Sequence, residues 1–102
     1  MAIGATSAFR PTGTVAMSTG TTSANVPLTG GGESVVVTNP TTNLAYVRFG
    51  SDATVAASST DMPVLPASRV LLSVNSLISY AAAVFNAGTG SILFTRGDGS
   101  FL

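Results

Sequence analysis

Histidine, cysteine and tryptophan are absent from this sequence of 102 residues, and its four cations are all arginine. Without cysteine there is no disulfide, no thiolate metal site and no thiol nucleophile, and cysteine usage leaves the redox compartment undetermined. Without histidine, cysteine or lysine, general acid–base and nucleophilic catalysis lose their usual carriers. Only four carboxylates remain, Glu33, Asp52, Asp61 and Asp98. A hydrolase built on Asp52 and Asp61 is formally open, and so is a hard-cation site made by those aspartates with backbone carbonyls. Both residues sit in a stretch of Ser, Ala and Thr where aspartate ordinarily serves turns, and no calcium-loop pattern surrounds them. The expectation is a protein that is not an enzyme and takes no cofactor or metal.

Charge is scarce as well. Charged residues make up 8% of the chain and the formal net charge is zero, where about 25% is typical. Nucleic-acid binding depends on clustered Lys and Arg, whereas Arg10, Arg48, Arg69 and Arg96 are spread along the chain, so no nucleic-acid partner is expected. No apolar run approaches the ~20 residues of a membrane helix. Residues 1–9 are too short and too weakly apolar for a signal peptide, which points to a chain made in the cytoplasm and left unprocessed.

What is present is a series of short apolar runs punctuated by Gly, Pro and Asn. Residues 1–12 carry small side chains with isolated Ile3 and Phe9 and read as an extended N-terminal arm, leaving 13–102 as a single domain. Strands are expected at 14–18, at 24–29 as an edge because Pro27 cannot donate to a ladder, at 34–38 and at 44–49. Gly30 to Gly32 form a turn or hinge, and as a phosphate loop they fail, since Glu33 follows where Lys would be needed. Residues 50–61 are a long loop, and Pro63 and Pro66 bracket a short crossing segment. The last part holds three apolar runs, 69–74, 79–85 and 91–95. The second and third are joined by Asn86-Ala87-Gly88-Thr89-Gly90, which predicts a β-hairpin with 69–74 beside it. Gly97-Asp98-Gly99 reads as a closing turn. Arg96-Gly97-Asp98 resembles an integrin-binding tripeptide, but the turn use of those residues is the stronger reading.

Strand-like runs recurring every ten residues or so, with no helical spacing, predict an all-β fold: a small antiparallel β-sandwich, jelly-roll-like, or in second place immunoglobulin-like. Tyr46 and Arg48 share one face of their strand. Arg48 and Arg69 each sit in an apolar strand, where a guanidinium needs a carboxylate, a carbonyl or a subunit boundary. Strand 79–85 is apolar on both faces, and something must cover the second. Ile3, Phe9, Tyr46, Arg48, Arg69 and Leu71 are therefore the candidate interface residues.

The segment Leu44-Ala45-Tyr46-Val47-Arg48-Phe49-Gly50, the stretch Asp61-Met62-Pro63-Val64-Leu65-Pro66 and the expected hairpin from Ser79 to Gly97, ending in Thr-Arg-Gly-Asp-Gly, resemble small all-β virion proteins of tailed bacteriophages that decorate or cement the head. The resemblance covers about the last sixty residues. It implies a structural protein of the virion that forms homo-oligomers, trimers among them, and attaches to the major capsid protein or another virion protein at the head, neck or tail. A receptor- or carbohydrate-binding module of a phage fibre or tail is the alternative.

Overall fold

A computed structural model describes residues 9–75 and 77–99, and within them the chain is all strand and loop. Eight strands follow in order: β1 (Arg10–Thr19), β2 (Ala24–Pro27), β3 (Ser34–Asn39), β4 (Ala45–Gly50), β5 (Met62–Val64), β6 (Ser68–Ser73), β7 (Tyr80–Phe85) and β8 (Gly90–Asp98). β-Branched Val35, Val36 and Val37 explain β3 by propensity alone. In β7 tertiary context overrides propensity. Ala81, Ala82 and Ala83 favour a helix in isolation, yet all three are fully buried in the middle of a strand. A run this short cannot hold a helix by itself, and small side chains let layers close on both of its faces.

The strands form two antiparallel sheets, ordered β1-β8-β3-β6 and β2-β7-β4-β5. β1 pairs with β8, β2 with β7, β3 with β6 and β4 with β5. The chain is thus one long ribbon, doubled back at the loop between β4 and β5 and then rolled so that β8 meets β3 and β7 meets β4. That is the jelly-roll arrangement of a β-sandwich. It differs from the immunoglobulin order, in which the two sheets join strands ABED and CFG.

Two pairing expectations are overturned. β7 and β8 do not form a hairpin, because they belong to opposite sheets, and β6 lies beside β3 rather than beside either of them. Residues between β7 and β8 do reverse the chain, with Gly88 at φ 75° against the Asn43 side chain. The reversal arches across the sandwich, from β7 in one sheet to β8 in the other, while the end of β7 stays held to its flanks as Phe85 N donates to Gly20 O at 2.8 Å and Asn86 N to Leu44 O at 3.0 Å. Glycine cues report a change of direction, not the sheet in which the next strand lands. Gly97 and Asp98 are likewise strand residues of β8, paired with Pro11 and Arg10. Gly97 is needed there because a Cβ would run into the Arg10 carbonyl. Of the expected arm, 1–8 lie outside the described residues, and Arg10 and its two successors open β1.

Between the sheets the core is apolar, with Val35, Val37, Ile92 and Phe94 from one sheet and Ala45, Val47, Val64, Ala81, Ala83 and Phe85 from the other. Phe49 and Phe94 meet edge to face across it, 6.1 Å between centroids at 79°, a geometry aromatic quadrupoles favour. Two buried polar groups tie the layers together. Asn39 Nδ2 donates to the carbonyls of Asn43 (2.8 Å), Val64 (3.2 Å) and Leu65 (3.3 Å), while its Oδ1 accepts from Thr41 N and Oγ1 at 3.1 and 2.6 Å. Arg96, 5% exposed, donates Nε to Gly32 O at 3.0 Å and its other nitrogens to the carbonyls of Ile78 and Asn75. A buried guanidinium is tolerable on these terms because each of its three nitrogens finds an acceptor.

Candidate functional site

The sandwich presents two outer faces, and the candidate interface residues divide between them. On the β1-β8-β3-β6 sheet, strand alternation sends Thr14, Ala16 and Ser18 outward from β1, Ser91, Leu93 and Thr95 from β8, Val36 and Thr38 from β3, and Arg69, Leu71 and Ser73 from β6. The register aligns Thr14, Thr95, Val36 and Leu71 in one row and Ala16, Leu93, Thr38 and Arg69 in the next. Apart from Val36 these residues are exposed or half-buried. Hydroxyls and short apolar groups alternate across the face, no carboxylate stands among its strand positions, and Arg69 marks its rim.

Tyr46 and Arg48 lie on the opposite face, that of β2-β7-β4-β5, where residues 51–61 fold back over the strands. Ala57 and Val55 pack with Ala82, Val84 and Tyr46 in a second small apolar cluster, so the chain's own loop covers the second face of β7. Polar contacts pin this strap along its length. Asn25 Nδ2 donates to Ala53 O at 2.9 Å and Val55 O at 3.3 Å, Ala57 N donates to Ser23 Oγ at 2.8 Å, and Arg48 Nε lies 3.9 Å from Asp61 Oδ1. The Arg48 side chain is 61% exposed, and pairs of that kind contribute below about 1 kcal/mol. Arg48 thus has the carboxylate its strand position called for, within its own chain.

One end of the strap leaves a cleft of about 400 Å³, with Thr21, Ser23, Tyr46, Ser59, Val84 and Asn86 around it. Its floor is small and apolar, its mouth hydroxyl and amide, and no charged residue lines it. A volume in the lower part of the ~300–1,000 Å³ range suits a small neutral ligand. A second depression lies beside Arg69, lined by Thr38, Asn39, Pro40, Ala67 and Ser68. Ala67 holds φ 52° there and donates its N–H to Thr41 O at 2.9 Å, a left-handed conformation that costs an alanine about 1–2 kcal/mol.

Three of the four carboxylates accept hydrogen bonds from backbone amides. Asp52 Oδ1 accepts from Thr54 N at 3.0 Å and from Thr54 Oγ1, and these bonds, the hydroxyl's first, hold its carboxyl below the usual range. Asp61 Oδ2 accepts from Ser58 N at 2.8 Å, and Asp98 Oδ1 from Glu33 N at 3.0 Å. Among the described residues no three of His, Cys, Asp and Glu gather closely enough to hold a metal ion. The tripeptide at 96–98 is strand, with its arginine buried. Ile3 lies outside the described residues, and Phe9 is half-buried just ahead of β1. Arg96 escaped the sequence reading, although its alternation with Ile92 and Phe94 places it on the core face.

Comparison with protein-family models, with curated proteins and with solved structures found no match.

Proposed function

We propose that this chain is a non-enzymatic structural protein of a virus particle, of the tailed-bacteriophage type its segments resemble, that assembles with copies of itself and decorates or cements a capsid, neck or tail. The open, nearly uncharged outer face of the β1-β8-β3-β6 sheet supports this reading most directly. A solvated face on a lone soluble domain ordinarily carries mixed charge, and this one carries a single arginine among its strand positions.

Magnitude limits the arrangement. Four strands spaced ~4.8 Å, each presenting about six residues at ~3.3 Å, give a footprint of roughly 400 Å². A stable interface takes about 800 Å² from each partner. The face therefore works together with a further element, and the N-terminal segment with Ile3 and Phe9 supplies it. Light scattering on the purified chain, alone and mixed with empty shells, tests the proposal, with a variant lacking residues 1–8 alongside. Deletion stops there because residue 10 already belongs to β1. Assembly and shell attachment that weaken in the shortened chain are expected. A chain that stays single at high concentration and ignores shells would remove the reading.

A receptor- or carbohydrate-binding module is the second reading, favoured by the uncharged cleft beside Tyr46. A sugar offers an apolar ring face and a hydroxyl rim, which match Val84 and Tyr46 below and Thr21, Ser59 and Asn86 at the mouth. Asn86→Ala, at an exposed position, should abolish glycan-array signals if this site exists, and an array without signals would dismiss it.

A further inference from the structure

The four outer strands of the two sheets are not alike. β2 is four residues long and contains Pro27, and β5 is three residues long and contains Pro63. β1 contains Pro11 next to a shift of register between Pro11 and Gly13. Short length, proline and bulges are among the devices by which folded chains keep sheet edges from pairing with other chains, and charged side chains are another. β6 has none of the first three and a single charge, Arg69. Its six residues, Ser-Arg-Val-Leu-Leu-Ser, contain no proline and pair with β3 in unbroken register from Ser34↔Ser73 to Asn39↔Ser68.

From this contrast we infer that β6 is the assembly edge, and that it pairs antiparallel with β6 of a second copy about a two-fold axis. The inference rests on the assembly reading above and specifies its surface. A strand edge is satisfied by another strand, and an identical edge is complementary to itself when turned by a two-fold rotation. The two sheets then join as β1-β8-β3-β6 continued by the partner's four strands in reverse order.

Register follows from faces and charges. Directly opposite residues in an antiparallel pair share a face. Outward-facing Arg69, Leu71 and Ser73 must therefore meet outward-facing residues, which restricts the two-fold axis to pass through a residue rather than between two. An axis at Arg69 sets two guanidinium groups against each other. An axis at Val70 sets Arg69 against the partner's Leu71. An axis at Leu71 places Leu71 against its own copy and Arg69 against the partner's Ser73, separating the charges and covering a half-buried leucine at the end of the Thr14, Thr95, Val36 row. The last of these satisfies every pair.

Absence of native cysteine makes the test clean. Facing Cα atoms in an antiparallel pair lie ~4.5–5.5 Å apart, within the span of a disulfide. Leu71→Cys should therefore close into a covalent dimer under mild oxidation, whereas exposed Ser73→Cys, whose mate is Arg69, should not. Leu71→Lys, by opposing two charges on the axis, should weaken dimerisation at least tenfold, with circular dichroism confirming that each variant folds. An assembled species in which Leu71→Cys gives no disulfide, or no more than Ser73→Cys, overturns the edge and leaves the assembly reading standing. Single molecules that still bind shells do the same, and single molecules that bind no shell overturn both.

Discussion

The two outer faces of the sandwich start from similar strands and end differently. β7 is apolar on both sides, and its outward Ala82 and Val84 disappear beneath the loop of residues 51–61. β3 is also apolar on both sides, but among the described residues no such loop crosses its sheet, and the buried Val36 lies between Leu71 and Thr95, its partners in the sheet. A doubly apolar strand is therefore not in itself a sign of a partner. Loop length decides, because a dozen residues can roof two strands. The case for association accordingly rests on β3 and β6 and not on β7.

The contrast between a buried and an exposed arginine should show the largest effect. Arg96→Met removes three part-buried bonds to the carbonyls of Gly32, Ile78 and Asn75 and should cost about 3 kcal/mol in urea unfolding. Arg48→Met, on the strapped face, should cost less than about 1 kcal/mol. Equal losses would mean that Arg96 is as wet as Arg48. Next comes a charge placed on each face. Ala82→Glu, beneath the strap, should destabilise by at least about 2 kcal/mol. Ala16→Glu, on the open face at the edge opposite β6, should leave unfolding within about 0.5 kcal/mol and a β6-paired dimer intact while weakening attachment to shells through that face, and attachment indifferent to it would move that contact elsewhere.

The strap itself can be loosened. Asn25→Ala removes its bonds to Ala53 and Val55 and should weaken the loop by about 1 kcal/mol, seen as roughly fivefold faster amide exchange at Ala57 with little change at β8. Smallest is the response to acid at Asp52. Its folded pKa lies below the reference value of 3.8, so its contribution to the turn is complete above that pH and fades as pH falls through the lowered value. The Thr54 amide resonance should report that loss, while the open sheet stays unchanged over the same range.

Strand positions were legible because β-branched and aromatic runs between Gly, Pro and Asn leave few alternatives, and β3, β4, β6 and β7 fall within a residue or two of where the pattern puts them. Partnership was not legible. Tyr46 and Arg48 are equivalent in pattern to Arg69 and Leu71 as neighbouring positions on one face of an apolar strand, yet rolling the ribbon sends the two pairs to opposite faces. Arg96 was missed for a related reason. The neighbouring glycine and aspartate suggest a turn, and the carbonyls that hold it come from segments 64, 18 and 21 residues away. Asn39 read as a stop to β3, and its grip on the β5 segment depends on 25 residues of intervening chain.

β8 is the last strand among the described residues and an inner one in its sheet, with β1 on one flank and β3 on the other. Until the residues near 98 have left the ribosome, β1 lacks its only sheet partner and β3 has β6 alone. The growing polypeptide must wait with β1 unpaired and one edge of β3 open, and then complete itself by insertion rather than by stacking one more strand on an existing rim.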